Sequence, residues 1–196
     1  MNGAKPHDAF SVILFNLIGL YLYLWRVYAQ TSRSCCLMSL AEEVVQLLTT
    51  KNLTLATCES VTGGMIGAQI VGVSHASKVY RGGLVTYSDD SKIKLASINR
   101  RTIDTFGAIS TQTAKEMAEG TIKQLRTDIA ISITGNAGPI ANENKPIGLA
   151  YVAITVIDRT YVNELISHEK TRNEIRIDFT FQALSLLLKA IKGLKA

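Results

Sequence analysis

Residues 53–64, which read LTLATCESVTGG, decide the fold. Residues 53–58 are aliphatic and β-branched over a length that is typical of a buried strand. Residues 59–64 end in two glycines and lead into a segment with apolar side chains at helical spacing: Met65, Ile66 and Ile70. A strand that passes through a short turn into a helix predicts an α/β fold.

The alternation of helix and strand continues on both sides of this stretch. Upstream, residues 39–42 form a capping box before an apolar series, which predicts a helix over about residues 40–51. Downstream, residues 79–87 predict a second strand, and Ser88 then caps a helix that contains Lys92 and Leu95.

The second half of the chain predicts two more helices and three more strands. A helix over about residues 111–126 precedes a buried strand over residues 128–133, and a loop with two glycines follows over residues 134–139. The apolar face of this helix is predicted to comprise Ala114, Ala118, Ile122 and Leu125. Two β-branched runs, residues 147–157 and 160–167, predict a hairpin that turns at Asp158 and Arg159.

A last helix begins at a second capping box, residues 171–174. Its predicted apolar stripe consists of Ile175, Phe179, Leu184, Leu187, Leu188 and Ile191. Helices that alternate with strands, together with one hairpin, predict a single domain of the α/β class. We expect a three-layer α/β/α sandwich with a mixed β-sheet.

Length, composition and charge exclude several classes of protein. The chain has 196 residues, of which 47% are hydrophobic, so it is too apolar for disorder and long enough for one well-buried domain. Three cysteines exclude a disulfide-rich scaffold. The net charge is +5, but it is only +3 without residues 1–37. This mild excess suits a small anionic substrate and does not predict nucleic-acid binding.

Residues 1–37 form an apolar extension that differs from the rest of the chain. Residues 9–25 carry no charge, and this length is at the lower edge of the roughly 17 to 25 residues that cross a bilayer. The extension is interpreted as an upstream start-site artefact before Met38, as a membrane anchor, or as a signal. Residues 38–196 are the predicted functional domain. Its lone cysteine, Cys58, indicates a reducing compartment and therefore a cytoplasmic location.

Polar residues and glycines concentrate at three junctions, residues 59–64, 86–92 and 134–139. Ligands of open α/β sheets bind beyond the carboxyl ends of the strands, where helix N-termini present free N–H groups. Each glycine loop therefore predicts either an anion-binding cradle or a tight turn.

Three side chains at these junctions are candidates for catalysis, and each has a structural alternative. Ser60 is either a nucleophile or a helix cap. Lys92 lies in the first turn of a helix, where the helix dipole slightly lowers the pKa of an ammonium group, and it is either a base for serine or a solvated side chain. Tyr87 either transfers a proton or covers the sheet edge.

Metal chemistry is not indicated by the sequence. His7, His75 and His168 share no ligand spacing, and Cys58 has no cysteine partner in the predicted domain. A mechanism without metal or cofactor is therefore favoured, with Cys58 as a remote alternative nucleophile.

From Met38 to the C-terminus the sequence resembles the CinA C-terminal family, which includes bacterial nicotinamide mononucleotide amidohydrolases. The motifs that carry the resemblance cover residues 59–64, 83–88 with Lys92, 107–110, 132–139 and 145–148. The resemblance implies hydrolysis of the carboxamide of nicotinamide mononucleotide to nicotinate mononucleotide and ammonia, within pyridine nucleotide recycling.

The resemblance also implies roles for individual residues. Ser60 would be the nucleophile, Lys92 its base and Tyr87 a proton relay. The implied substrate-binding residues are Thr62, Gly63, Gly64, Thr86, Thr134, Gly135, Ala137 and Gly138. The family further implies a homo-oligomer with a small nucleotide as substrate.

The sequence departs from the family pattern at three places. Val61 replaces a cysteine, Asn136 replaces an isoleucine, and residues 140–144 replace a glycine-rich acidic run. The altered segment around residues 136–144 supports an alternative, a noncatalytic paralogue that binds a nucleotide or a partner. A membrane-tethered member of the family is a further alternative that depends on residues 9–25.

Overall fold

The computed structural model describes residues 37–194, and they form a five-stranded mixed sheet between two layers of helices. The strands are β1 (Leu55–Glu59), β2 (Tyr80–Val85), β3 (Ile129–Asn136), β4 (Leu149–Val156) and β5 (Arg159–Ile166). They are ordered β2-β1-β3-β4-β5 across the sheet. Strands β2, β1 and β3 are parallel, and β4 is antiparallel to both of its neighbours. The predicted three-layer α/β class is confirmed.

Six α-helices flank the sheet in this part of the chain. They are α1 (residues 37–51), α2 (Met65–Val71), α3 (Asp89–Ala96), α4 (Arg100–Phe106), α5 (Thr111–Leu125) and α6 (Arg172–Lys192). A 3-10 turn, Ala76–Lys78, precedes β2. Helices α1, α2 and α6 contribute to the large core cluster on one face of the sheet, whereas α3, α4 and α5 pack on the opposite face.

Three helices differ from the prediction, in where α1 begins, in the presence of α4 and in the buried face of α5. Helix α1 already includes residue 37, so residues 39–42 do not cap it; Leu37 is buried and extends the apolar stripe one turn upstream. Helix α4 was not predicted, because it is only seven residues long and has no extended apolar repeat; Asn99 is its N-cap. In α5, Ala114 and Ala118 are buried as predicted, but Ile122 and Leu125 are only half-buried. The buried face is instead completed by Met117 and by three small or polar residues, Thr113, Gly120 and Thr121.

Helix α6 and the hairpin follow the prediction closely. Thr171 and Glu174 form the predicted capping box, and every residue of the predicted stripe is buried. Strands β4 and β5 pair in antiparallel register from Leu149–Ile166 to Val156–Arg159, so the hairpin turns at Ile157 and Asp158 rather than at Asp158 and Arg159. Strand β3 extends to Asn136, and the first three residues of the predicted loop are therefore strand.

The parallel strands bring the three predicted junctions to one edge of the sheet. Glu59, the last residue of β1, pairs with Val85 of β2 and with Ile133 of β3. The next residues continue this register, since Ser60 N–H donates to the carbonyl of Ile133 (3.0 Å) and Thr86 N–H donates to that of Glu59 (2.8 Å). The carboxyl ends of β1, β2 and β3 thus meet where the candidate catalytic residues lie.

Candidate active site

The structure brings Ser60 and Lys92 into contact. Lys92 Nζ donates to Ser60 Oγ at 3.2 Å and to the carbonyl oxygen of Thr86 at 3.1 Å. Ser60 is 8% exposed and Lys92 only 2% exposed, so both lie at the inner wall of a cavity. The alternative that Lys92 is a solvated surface lysine is therefore wrong.

The position of Lys92 follows from the capping of α3. Ser88 is the N-cap, and it forms a capping box with Ser91, which fixes the first turn as the sequence predicts. Lys92 is the fourth residue of this helix and points into the protein. Because burial disfavours the charged form, it lowers the pKa of Lys92 from the usual value near 10.5. Asp89, Cys58 and Glu143 act in the opposite direction. A lysine with a lowered pKa is neutral at lower pH and can accept a proton from serine.

The cavity in front of Ser60 has a volume of about 240 Å³. Its walls come from all three predicted junctions, from the motif at residues 107–110, from the altered segment around residues 136–144, and from Arg172. The lining residues are Ser60, Val61, Tyr87, Asp89, Lys92, Ala108, Ile109, Thr134, Gly135, Asn136, Ala137, Asn142, Glu143 and Arg172.

Tyr87 lies at the exposed side of this cavity, with 63% of its surface accessible. Its hydroxyl accepts a hydrogen bond from Nη2 of Arg172 at 2.7 Å. Arg172 is the first residue of α6 and also donates through Nη1 to the carbonyl of Gly138. The guanidinium group therefore links the junction after β2 to the junction after β3.

The first glycine loop does not line the cavity, apart from Ser60 and Val61. The carboxylate of Glu59, which is 1% exposed, accepts four hydrogen bonds. Their donors are Thr62 Oγ1 (2.7 Å) and the N–H groups of Gly64 (3.0 Å), Ile66 (3.0 Å) and Gly67 (2.8 Å). Gly63 N–H donates to the carbonyl of Ser60 at 3.1 Å. The structure therefore places the predicted substrate-binding residues Thr62, Gly63 and Gly64 in contacts within the protein.

The hydrogen bonds of Glu59 also bear on the alternative interpretation of Ser60 as the cap of helix α2. The residue before α2 is Gly64, with a φ of 99°, and no side-chain hydroxyl caps that helix. Glu59 instead bonds the N–H groups of its first turn. The interpretation of Ser60 as a helix cap is therefore wrong.

The second glycine loop is open to the cavity. Thr134, Gly135 and Ala137, which the resemblance implies as substrate-binding residues, line it, and Thr134 Oγ1 donates to the carbonyl of Ala108 at 2.8 Å. Gly138 lies beside the cavity and contacts Arg172 through its carbonyl. Thr86 is fully buried beneath Lys92 and accepts its hydrogen bond through the main chain.

The altered segment after β3 is bound to the cavity wall. Asn136 Nδ2 donates to the carbonyl of Lys145 at 3.0 Å, and Asn136 Oδ1 accepts from Gly138 N–H at 3.2 Å. The carboxylate of Glu143 accepts from the N–H groups of Ala108 (2.8 Å) and Ile109 (3.0 Å). The departures from the family pattern thus close the loop onto the segment before α5.

Cys58 lies outside the cavity in the buried layer under Lys92. It is fully buried, and burial raises the pKa of its thiol. Its Sγ lies 3.5 Å from Thr86 Oγ1. This environment is unfavourable for a nucleophilic thiolate.

Four side chains of the site were missed by sequence reasoning: Glu59, Glu143, Arg172 and Arg176. Arg172 and Arg176 are separated by one helical turn at the start of α6, and that spacing was visible in the sequence. Tyr87, which Arg172 contacts, and Thr62, which Arg176 contacts, lie 85 and 114 residues away along the chain, so only the fold shows these contacts.

The fold and the site together define an α/β domain with a serine and a buried lysine at the carboxyl edge of its parallel strands. The model of the CinA C-terminal domain matches residues 37–191, and the chain belongs to the CinA family.

Curated relatives agree with this assignment. The chain is 43% identical over 155 residues to a putative competence-damage inducible protein from Alkaliphilus oremlandii, and 42% identical over 154 residues to a CinA-like protein from Kosmotoga olearia. These matches cover 79% and 78% of this chain but only 37% of each relative. The chain therefore spans little more than a third of the length of these relatives.

Solved structures match almost over their whole length. The competence/damage inducible protein CihA from Agrobacterium tumefaciens superposes with a TM-score of 0.76 at 33% identity, covering 80% of this chain and 96% of that one. The competence damage-inducible protein A (ComA) from Klebsiella pneumoniae gives a TM-score of 0.78 at 25% identity, covering 81% and 99%.

The interpretations of the N-terminal extension, residues 1–37, fall almost entirely outside the described residues. Within residues 37–194, none of the helices combines the length and the apolar character that a membrane crossing requires. In the same range, no group of three or more His, Cys, Asp or Glu side chains is arranged to hold a metal ion.

Proposed function

We propose that this chain hydrolyses the carboxamide of nicotinamide mononucleotide to nicotinate mononucleotide and ammonia. The observation that carries the proposal is the 3.2 Å contact between Ser60 Oγ and Lys92 Nζ inside the cavity. A hydroxyl within hydrogen-bond reach of a lysine with a lowered pKa is the arrangement that activates serine without histidine. Family membership supports a hydrolase, and the substrate is part of the proposal.

In the first step, neutral Lys92 accepts the proton of Ser60 as Oγ attacks the carbon of the carboxamide. The carbonyl oxygen gains the negative charge, and backbone N–H groups of the cavity wall would stabilise it. The tetrahedral intermediate collapses when the C–N bond breaks and the nitrogen takes up a proton to leave as ammonia. Tyr87 is proposed to relay that proton from Lys92, which is thereby neutral again for the second step.

In the second step, water attacks the nicotinoyl ester on Ser60. Lys92 accepts a proton from the water, and the C–O bond to Ser60 breaks. The proton returns from Lys92 to Ser60 Oγ, and the product acid gives its remaining proton to the released ammonia, so that nicotinate mononucleotide leaves as a carboxylate beside ammonium. Water is the only co-substrate needed for this balance.

The ribose phosphate needs a cationic or N–H-rich surface beside this centre. Arg172 supplies a guanidinium group at the exposed side of the cavity, where it contacts two uncharged oxygens, the hydroxyl of Tyr87 and the carbonyl of Gly138. Neither of these contacts neutralises its charge. We therefore assign the phosphate to Arg172 and the open second loop, with Thr134, Gly135 and Ala137 beside it.

The test is ammonia release from nicotinamide mononucleotide by the wild-type chain and by Ser60→Ala. We expect release by the wild type and a decrease of about 10³-fold or more in the variant, because the nucleophile is lost. Ser185→Ala is the matched control, since Ser185 is on α6 and bonds the carbonyl of Phe181 outside the cavity. No release by the wild type, or undiminished release by Ser60→Ala, would refute the proposal.

A noncatalytic nucleotide-binding role is the second candidate. The observation in its favour is Glu143, which belongs to the altered segment and places a carboxylate on the cavity wall. Calorimetric titration distinguishes the two: tight binding of nicotinamide mononucleotide without turnover would support this second role.

A further inference from the structure

The two sides of Ser60 along the chain are held by different parts of the protein. On the N-terminal side, Ser60 N–H and Glu59 C=O are both bonded to neighbouring strands, at 3.0 and 2.8 Å. On the C-terminal side the sheet has ended, and residues 61–63 form a turn. The carboxylate of Glu59 bonds the hydroxyl of Thr62 and the N–H of Gly64 in this turn, whereas the carbonyls of Val61 and Thr62 are bonded by another group.

That group is Arg176, in the second turn of α6. Its Nε donates to the carbonyl of Val61 at 3.1 Å, and its Nη2 donates to the carbonyl of Thr62 at 2.7 Å. Nη1 donates to Asn173 Oδ1 at 3.3 Å, which orients the guanidinium plane from its own helix. The guanidinium group of Arg176 thus bonds both of the consecutive carbonyls that follow Ser60.

A planar guanidinium group suits this task better than an ammonium. Its donors form a fixed fork, so two bonds define the position and the orientation of both peptide groups. Because a trans peptide is planar, fixing the two carbonyls also fixes the N–H groups of Thr62 and Gly63. Gly63 N–H then closes the turn on the carbonyl of Ser60 at 3.1 Å.

We propose that Arg176 is a positioning residue for Ser60. It holds the peptide groups after the serine, so that Ser60 Oγ stays within reach of Lys92 Nζ at the end of β1. Its guanidinium group does not line the cavity, and it acts through the turn rather than on a substrate. The relevance to amide hydrolysis rests on the proposed function, but the effect on the reactivity of Ser60 does not.

The experiment measures the rate at which phenylmethanesulfonyl fluoride modifies Ser60, followed by mass spectrometry of the intact protein. The reagent forms a sulfonyl ester with serine and releases fluoride and a proton, so it reports on Ser60 without the proposed substrate. Wild type, Arg176→Met and Arg176→Lys are compared, with kcat and KM for nicotinamide mononucleotide measured alongside.

We expect Arg176→Met to slow both modification and kcat by about tenfold to hundredfold, since a displacement of about 1 Å has effects of that size. KM should change less than twofold. The modification rate and kcat of Arg176→Lys should lie between those of the wild type and of Arg176→Met, because an ammonium group lacks the fixed fork of donors. Guanidinium ion, added below denaturing concentrations, should raise the modification rate of Arg176→Met but not that of the wild type.

The control is Lys189→Met, which removes an exposed cation from the far end of the same helix. It should leave modification and kcat unchanged. Thermal unfolding of every variant separates a loss of positioning from a loss of fold.

Unchanged modification in folded Arg176→Met would overturn the proposal, as would a wild-type Ser60 that the reagent does not modify. If the wild type releases no ammonia but its Ser60 is modified in an Arg176-dependent way, the proposed substrate is wrong and the positioning role stands.

Discussion

The two glycine loops at the carboxyl edge of the sheet are alike in sequence, but residues 62–64 do not line the cavity, whereas Thr134, Gly135 and Ala137 do. In residues 62–64 the donors turn inward, and Gly64 N–H and the hydroxyl of Thr62 both bond the buried carboxylate of Glu59. Of residues 134–138, Thr134, Gly135 and Ala137 line the cavity, and Gly138 N–H bonds the side chain of Asn136 within the loop. The first loop follows Ser60 and is bonded within the protein, and the second contributes part of the cavity wall.

The difference teaches that a glycine-rich turn before a helix is not by itself an anion site. The N–H groups of the first turn of α2 are suited to an anion, but the residue before Ser60 supplies one from the chain itself. The glutamate at position 59 occupies these donors, so that Thr62 Oγ1 and Gly64 N–H bond within the protein.

Of the substitutions in the two loops, removal of the Glu59 carboxylate should have the largest effect on the free energy of unfolding. We expect Glu59→Ala to lower the free energy of unfolding by about 3–5 kcal/mol, because four buried donors lose their acceptor. Glu59→Gln keeps one acceptor oxygen but places an NH2 group against N–H donors. It should therefore lower the free energy of unfolding by about 1–3 kcal/mol. Urea denaturation of both variants measures this order.

Thr62→Val is the control for Glu59, since it removes only one of the four donors. Its free energy of unfolding should fall by about 1 kcal/mol. A Glu59→Ala protein as stable as the wild type would show that the first loop does not depend on its internal carboxylate.

Adding a side chain at Gly135, in the loop that lines the cavity, should have a smaller effect on the free energy of unfolding. A Cβ on Gly135 would lie 2.7 Å from both Ala150 Cα and the carbonyl oxygen of Leu149 in the neighbouring strand β4. Gly135→Ala should therefore cost about 1–3 kcal/mol through a forced separation of β3 and β4, and it should also lower activity. The measurements are urea denaturation and ammonia release.

The matched change in the closed loop is Gly64→Ala. A Cβ there would meet Val85 Cγ2 at 3.7 Å, an ordinary contact, so only the left-handed φ of 99° opposes the substitution. Its cost should be about 1 kcal/mol. If Gly64→Ala were the more damaging of the two, the assigned reasons for the two glycines would be reversed.

The smallest expected effect is a pH dependence of stability at Lys92, which lies between the two loops. Because its pKa is lowered in the folded state, the unfolded chain binds more protons at pH values between the lowered pKa and 10.5. Stability of the wild type should therefore rise with pH across that window relative to Lys92→Met. Urea denaturation of both proteins at several pH values gives this difference, and a difference that does not vary with pH would contradict a lowered pKa.

Much of the fold could be predicted because its signals are local. The alternation of residues 53–64 from strand to helix, the capping residues Ser88 and Thr171 and the stripe of α6 all depend on neighbours in sequence. Helix α4 was missed because its local signal is a cap at Asn99 before a short segment, whereas the face of α5 depends on partners elsewhere. The main chain of Ala96, for example, approaches α5 so closely that a Cβ at Gly120 would collide with it.

The candidate site could be predicted where the carboxyl ends of parallel strands must converge. Ser60, Lys92 and Thr134 are brought together in this way. The directions of individual backbone groups could not be predicted, since they depend on which distant side chain, such as Arg172 or Arg176, satisfies them. For that reason the two loops were given equal roles from the sequence and have unequal ones in the structure.

In the proposed function neutral Lys92 activates Ser60, so the decisive measurement is the pH dependence of kcat/KM for ammonia release from nicotinamide mononucleotide. The rate should rise with pH as Lys92 loses its proton and should level off below pH 10.5, the usual pKa of lysine. In Lys92→Arg, whose guanidinium group stays protonated, the rate should fall by about 10²–10⁴-fold at every pH. A flat profile for the wild type, or a Lys92→Arg protein that keeps its activity, would contradict the account.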